Sequence, residues 1–207
     1  MANLSDLLPD VLPDLPGCPN ITALDALSKA LIEFCERSRY WREWLADIAV
    51  TAGDASYTPT VPTDSRLVDI LAAEFADVPI DPASPAELDE ALPGWRTDTG
   101  TVDYFTQPTA DTLLLAKVPS ASGTLKLEAA LAPTLAATTF PDDIYQRFRE
   151  AIACGAKARL MLSPGKPYTN PALHATHKAA FEDAIHDAEI TAARGKTRMP
   201  LRTKLWI

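Results

Sequence analysis

The sequence predicts an α+β protein in which a discontinuous helical bundle is interrupted by a small antiparallel β-sandwich or barrel. Two stretches, one beginning at Asn20 and one between Pro141 and Gly195, have the 3.6-residue hydrophobic period of amphipathic helices. Short segments of β-type alternation, separated by turn residues, lie between them. We therefore predict three parts: a helical domain over residues 1–44 and 139–196, an inserted β-rich domain over residues 45–138, and a C-terminal arm over residues 197–207.

The first part of the chain changes character at Asn20. Four prolines fall within the eleven residues Pro9–Pro19, which excludes a continuous helix there. From Asn20 to Trp41 the apolar side chains share one face of a helix of about 20 residues, which we expect to pack on the late helical hairpin. The helix runs into a segment rich in arginine and aromatic residues. In this segment Trp41 and Trp44 either cap the core or anchor a subunit interface, where Trp and Arg are enriched.

The central segment has the pattern of short strands joined by turns. Strand spacing of this kind is typical of an antiparallel sandwich or barrel, in which Leu45–Thr51 and Tyr57–Val61 would pair as neighbours. The predicted strands are Leu45–Thr51, Tyr57–Val61, Val68–Phe75, Val102–Thr106, Thr112–Val118 and Thr124–Leu131, and the third of these would also suit a helix. A short helix is predicted after Ser84, because Pro85 and Glu87 complete the N-cap, first-turn proline and capping-box pattern.

The late stretch predicts a helical hairpin. In its first helix one face is apolar, and the other carries the basic residues Arg147, Arg149 and Lys157. In its second helix Asn170 is placed as the N-cap, with Pro171 at the first helical position. The apolar stripe then continues to Gly195, which ends the helix. The predicted stripe of this second helix comprises Leu173, His177, Phe181, Ala184, Ile185 and Ala188.

Charge is distributed unevenly along the 207 residues. All 28 acidic residues lie at or before Glu189, so residues 1–190 carry a formal charge of −14 and residues 191–207 carry +5, giving −9 in total. An acidic body repels phosphate and argues against sequence-specific binding of nucleic acid by the folded part. The tail is either a solvated end or an arm that binds an acidic partner. Its arm residues are Arg198, Met199, Leu201, Arg202, Lys204, Leu205, Trp206 and Ile207.

Motifs of enzymes are scarce in this chain. No glycine-rich phosphate loop occurs, and the three widely spaced cysteines favour neither a disulfide framework nor a zinc site. His174, His177, His186 and Asp183 lie on one predicted helix, which keeps a small metal-dependent hydrolase open as an alternative. We expect no catalytic residue, cofactor or metal. The absence of a long apolar run or a signal-peptide pattern predicts synthesis in the cytoplasm and no membrane partner.

Five sequence segments together resemble those of a known family. They are Leu8–Pro19, Glu33–Arg42, Pro93–Arg96, Ala151–Leu160 and Pro164–Pro171. This arrangement resembles the head-to-tail adaptor proteins of tailed bacteriophages, the group that includes the tail tubular A or gatekeeper proteins. The resemblance covers nearly the whole chain.

The resemblance implies a structural virion protein without enzymatic activity. Its relatives form a ring, usually a dodecamer, that joins the portal vertex of the capsid to the tail, and double-stranded DNA passes through the lumen during ejection. It implies four partners: other copies of the chain, the portal protein, a distal tail or nozzle protein, and DNA bound without sequence specificity. The location would be the neck and tail of the virion, and Thr197–Ile207 would be the arm that reaches the portal. In such a ring Arg147, Arg149 and Lys157 would be available for contacts between subunits. A head-closure or tail-terminator ring is the alternative within the neck.

Overall fold

The computed structural model describes residues 1–109 and 111–195, and this part of the chain is an α+β protein. It contains five α-helices: α1 Leu8–Val11, α2 Asn20–Ser38, α3 Pro85–Ala91, α4 Asp142–Met161 and α5 Pro171–Arg194. The strands are β1 Ala2–Asn3, β2 Arg42–Trp44, β3 Ile48–Val50, β4 Ser56–Tyr57, β5 Ser65–Phe75, β6 Val78–Pro82, β7 Thr99–Gly100, β8 Tyr104–Thr109, β9 Thr112–Ala116, β10 Val118–Pro119, β11 Gly123–Pro133 and β12 Thr139–Phe140.

Backbone contacts divide the chain into two compact units. The first unit consists of Met1–Trp41 together with the chain from Ala132 onward, and the second consists of Arg42–Leu131. Four of the five described helices belong to the first unit, and α3 belongs to the second. The division into domains predicted from the sequence, residues 1–44 with 139–196 and residues 45–138, stays a prediction.

The chain enters the first unit as short helical turns. A 3₁₀ turn over Leu4–Leu7, helix α1 and a second 3₁₀ turn over Leu12–Asp14 follow one another, because each proline interrupts the backbone hydrogen bonds of a longer helix. Leu7, Val11 and Leu15 are buried along this segment. Strand β1 pairs antiparallel with β12, so the start of the chain is tied to the residues that precede α4.

Helix α2 confirms the amphipathic helix expected from Asn20, but it ends before Trp41. Its C-cap residue, Arg39, adopts a left-handed conformation with φ of 49°, which stops the helix after Ser38. The buried face comprises Ala23, Ala26, Leu27, Ala30, Leu31, Phe34 and Cys35. Burial in this apolar surrounding raises the pKa of the Cys35 thiol to about 12, as expected for an inert core cysteine.

Helices α4 and α5 form the predicted hairpin, and α2 contacts both of them. The Asn170 side chain accepts a hydrogen bond of 3.2 Å from the backbone N–H of Leu173, which confirms the N-cap, and α5 ends at Gly195 as predicted. The stripe predicted for α5 is only partly buried. Phe181, Ile185 and Ala188 are buried, whereas Leu173 is 45% exposed.

The second unit holds a mixed sheet of eight strands in the order β2-β11-β5-β6-β8-β9-β4, with β3 also pairing with β11. The prediction of a wholly antiparallel sheet is wrong, because β6 and β8 pair parallel. A parallel pair needs a long crossover, and the segment that contains α3 supplies it. The predicted pairing of Leu45–Thr51 with Tyr57–Val61 is also wrong, because β3 pairs with β11 and β4 pairs with β9.

Local sequence patterns predict two elements of the second unit correctly, α3 and β5. Helix α3 has the predicted capping box: the backbone N–H of Glu87 donates to Ser84 Oγ, and Ser84 N–H donates to Glu87 Oε2. The ambiguous segment Val68–Phe75 is a strand, β5, that begins at Ser65. Leu88 of α3 packs with Trp95 and Ala116 in a buried cluster, which fixes the crossover helix against the sheet.

None of the helices in the described ranges has both the length and the apolar composition that a bilayer crossing requires.

Candidate interaction surfaces

Arg149 of α4 is engaged within its own chain. Its guanidinium donates to both carboxylate oxygens of Asp10, at 2.7 to 3.0 Å, and it lies 5.2 Å from the centre of the Tyr145 ring. The hydrogen bonds to Asp10 raise the pKa of Arg149, so the group stays charged. A bidentate pair of this kind fixes the proline-rich segment to α4.

Lys157, further along α4, also forms an ion pair within its own chain. Its ammonium group donates to Asp14, and its side chain is only 11% exposed. This hydrogen bond lowers the pKa of Asp14. His177 lies nearby, and its pKa is lowered first by burial and then by the charge of Lys157. Arg149 and Lys157 together bind the residues before α2 to the hairpin.

Arg147 is part of a small network with Tyr40 and Asp143. The Tyr40 hydroxyl donates to Asp143 at 2.6 Å and accepts from Arg147 at 3.1 Å, and the Arg147 guanidinium lies 3.5 Å from Asp143. Burial, followed by the neighbouring Asp143 carboxylate, raises the pKa of Tyr40. Each of the three basic residues predicted at a subunit interface therefore has an acidic partner in its own chain.

Trp41 and Trp44, which were predicted to cap the core or to anchor an interface, have different environments. Trp41 is the last residue of the first segment of the first unit and is 5% exposed. Trp44 lies on β2 in the second unit, opposite Glu128 of β11, and is 55% exposed. An exposed tryptophan on a strand at the end of the sheet order is a candidate contact residue, whereas a buried one acts through packing.

Sequence patterns missed an ion network that joins the three long helices. Arg37 of α2 binds Glu33 at 3.1 Å and also Glu182 of α5, while Glu33 binds Arg159 of α4. Only the Glu33–Arg37 pair has a signal in the sequence, namely the i, i+4 spacing on one helix. The other two pairs depend on the packing of the helices.

We expect the Glu182→Gln variant to lose about 0.5–1 kcal/mol of unfolding free energy at pH 7, because both partners remain roughly 40% exposed and solvent screens the pair. Hydrogen bonding to Arg37 lowers the pKa of Glu182. The contribution is therefore complete above the ordinary carboxyl value of 4.5 and is lost as the pH falls through the lower folded-state value. Urea unfolding at several pH values measures it.

The matched control for this prediction is Glu189→Gln on the same helix, whose carboxylate is 60% exposed and lies 3.9 Å from His186. This variant should unfold like the wild type at every pH. A Glu182→Gln deficit that persists unchanged at pH 3 would contradict the assignment to the Arg37 pair.

The histidines proposed as metal ligands do not converge. His174 Nδ1 lies 2.8 Å from the carbonyl oxygen of Ala158, His177 is half-buried beside Lys157, and His186 is on the exposed surface. Within residues 1–109 and 111–195, no three metal-ligating side chains of the His, Cys, Asp or Glu type form a group that could hold an ion. The hydrolase alternative therefore has no assembled site in this part of the chain.

A groove in the first unit is a further candidate surface. It has a volume of about 550 Å³ and lies between the N-terminal half of α2, residues Asn3–Ser5 and the segment Leu135–Thr138. Ile21 and Leu135 are 78% and 76% exposed at its lining, so apolar surface meets solvent there. The arm residues Arg198, Met199, Leu201, Arg202, Lys204, Leu205, Trp206 and Ile207 lie outside the described residues.

The chain was compared with known proteins. No curated protein matches it. The family described as SU10 adaptor protein matches residues 2–204, which is nearly the whole sequence and includes both parts of the first unit as well as the second. This agrees with the resemblance to phage head-to-tail adaptors stated above, and the chain belongs to the SU10 adaptor protein family.

Proposed function

We propose that this adaptor forms a ring between the portal vertex of the capsid and the tail of a phage, and that double-stranded DNA passes through its lumen. The observation that carries the proposal is the family match over residues 2–204. A phage adaptor is a structural part of the virion, and the neck is the place where a protein of this kind would join capsid and tail. The ring would be a homo-oligomer, with the dodecamer of the related adaptors as its expected form.

Charge supports the role of a conduit. Residues 1–190 carry a formal charge of −14, and a lumen wall of this sign repels the phosphates of DNA. DNA would then pass without being held at particular sequences. Contacts to the portal protein on one side and to a distal tail or nozzle protein on the other complete the proposed set of partners.

Subunit contacts in the ring are proposed at the residues named from the sequence. Trp44 is the best placed of them, because its ring is already exposed on β2. Arg147 and Arg149 would contribute while keeping their partners Asp143 and Asp10, and Lys157, whose side chain is only 11% exposed, would contribute through its partner Asp14. Trp41 would act indirectly, since it is buried and can only shape the surface around it.

Arm docking gives the experiment that tests this function. Wild-type protein mixed with the purified portal protein of the same phage should give ring-on-ring particles in electron micrographs. Deletion of Thr197–Ile207 should abolish these particles and leave the fold intact by circular dichroism, because the deleted residues follow α5, the last helix that the structure describes. A double substitution of Arg198 and Arg202 by glutamate should weaken docking through charge alone.

Each result of this experiment has a definite meaning. If the wild-type protein never associates with the portal, the adaptor ring proposed here is wrong. If the deletion variant docks like the wild type, the arm has no part in docking although the ring proposal stands. Recovery of the protein at another level of the neck in assembled particles would favour the head-closure or tail-terminator alternative.

A further inference from the structure

The groove in the first unit has the character of a binding site for an apolar chain segment. Its volume of about 550 Å³ falls in the range of pockets that bury small apolar groups. Ile21 of α2 and Leu135 are the most exposed large aliphatic side chains in the part of the chain that the structure describes. Leu24 and the buried Leu4 continue the apolar surface between them.

Helix α5 ends on the side of the first unit where this groove begins. Helices α4 and α5 are antiparallel, with Phe181 packed against Gly155. As many residues separate Phe181 from Arg194 as separate Gly155 from Asp142, so the end of α5 lies beside the start of α4. Only Pro141 separates Asp142 from β12, and Asn3 and Thr138, which lie at the β1–β12 pair, line the groove.

The length and composition of residues 196–207 fit this position. Residues 196–207 span about 40 Å when fully extended. Only a few residues separate Asp142 from Thr138, so the segment is long enough to reach the groove from the end of α5. The segment ends in Leu205, Trp206 and Ile207, which match an apolar groove, and it carries basic residues without any acidic one. The carboxylates of Asp142 and Asp25 remain 59% and 61% exposed beside the path to the groove, and each also binds one cationic group of its own chain, the amino terminus of Met1 and Lys29 respectively.

We propose that in the free subunit Leu205–Ile207 bind in the groove formed by α2, Asn3–Ser5 and Leu135–Thr138 of the same chain. Trp206 contacts Ile21 and Leu135, and the basic residues before it pass the carboxylates of Asp142 and Asp25. Binding removes the exposed apolar side chains of the groove and of the segment from water together. The inference concerns the free subunit and stands apart from docking on the portal.

The test uses the full-length protein with 5-fluorotryptophan at its four tryptophan positions. The ¹⁹F resonance of Trp206 is assigned by its loss in a Trp206→Phe variant. In the wild type this resonance should be shifted and broadened relative to a synthetic peptide of residues 196–207. The double substitution Ile21→Asp and Leu135→Asp should return it to the position of the free peptide. Both residues are exposed, so the fold should persist, and circular dichroism checks this.

The matched control is Leu162→Asp, a substitution of another exposed leucine of the first unit, which is 54% exposed and lies away from the groove. The Trp206 resonance should stay at the wild-type position in this variant. A wild-type resonance identical to that of the peptide, or one that the groove substitutions leave unmoved, would overturn the proposal. A shift that disappears on dilution would overturn it too, since the segment would then bind a second copy. None of these outcomes bears on portal binding by the assembled ring.

Discussion

Replacement of Phe34 by alanine is expected to lower the free energy of unfolding by about 3–5 kcal/mol, the largest effect of any single truncation proposed for this chain. Phe34 is fully buried on α2, and its ring lies 4.9 Å from the ring of Phe148 on α4. Tyr40 meets Phe148 edge-on at the same distance. Truncation would leave a cavity at the point where α2 joins α4, and neither helix can close it without losing the aromatic contacts.

Urea unfolding followed by circular dichroism at 222 nm measures this effect, because the long helices all belong to the first unit. Leu162→Ala in the same unit serves as the control, since Leu162 is 54% exposed and lies away from the groove, so its truncation should change the free energy by less than about 0.5 kcal/mol. A Phe34→Ala loss below about 1.5 kcal/mol would mean that the junction of α2 and α4 does not stabilise the unit.

Substitution of Gly155 by valine should cost about 3 kcal/mol, even though valine is a better helix former than glycine by a few tenths of a kcal/mol. A Cβ atom at position 155 would lie 2.8 Å from Cε2 and 2.9 Å from Cδ2 of Phe181. Phe181 is itself buried, so its ring cannot move aside freely. Steric overlap therefore outweighs helix propensity, and α5 must shift away from α4.

Two further variants separate the causes of this loss. Ala179→Val, at an exposed position of α5, measures the cost of valine in a helix without any clash. Phe181→Ala combined with Gly155→Val should lose clearly less stability than the sum of the two single variants, since the first removes the ring that the second would strike. Strict additivity of the two changes would show that Gly155 and Phe181 do not interact.

Local chemistry explains which elements the sequence predicts well. Helix-capping interactions act over three or four residues. The N-cap Asn170, the helix-ending Gly195 and the Ser84–Glu87 capping box could therefore be recognised without knowledge of the fold. The period of apolar residues likewise identified α2, α4 and α5. The end of α2 was harder, because it depends on the left-handed conformation of Arg39, a residue that carries no strong signal for a helix end.

Pairing between distant segments is where the predictions fail. The predicted strand Val102–Thr106 overlaps β8, whereas β6 was not predicted, and the parallel pairing of the two follows from the path of the crossover through α3. The same reason hides the partners of the candidate interface residues. Arg149 and Lys157 looked available for a neighbouring subunit, yet the folded chain brings Asp10 and Asp14 to them across about 140 residues of sequence.

The pairing of β1 with β12 has a consequence for synthesis on the ribosome. Residues 1–41 emerge before the second unit, but the helices that cover the apolar face of α2 are made roughly 100 residues later, which is of the order of 10 s at ordinary elongation rates. The last long strand of the second unit, β11, is complete before α4 begins. The nascent chain can thus finish its sheet while α2 still lacks α4 and α5, and its amino-terminal residues must be kept from aggregation until the helical hairpin leaves the exit tunnel.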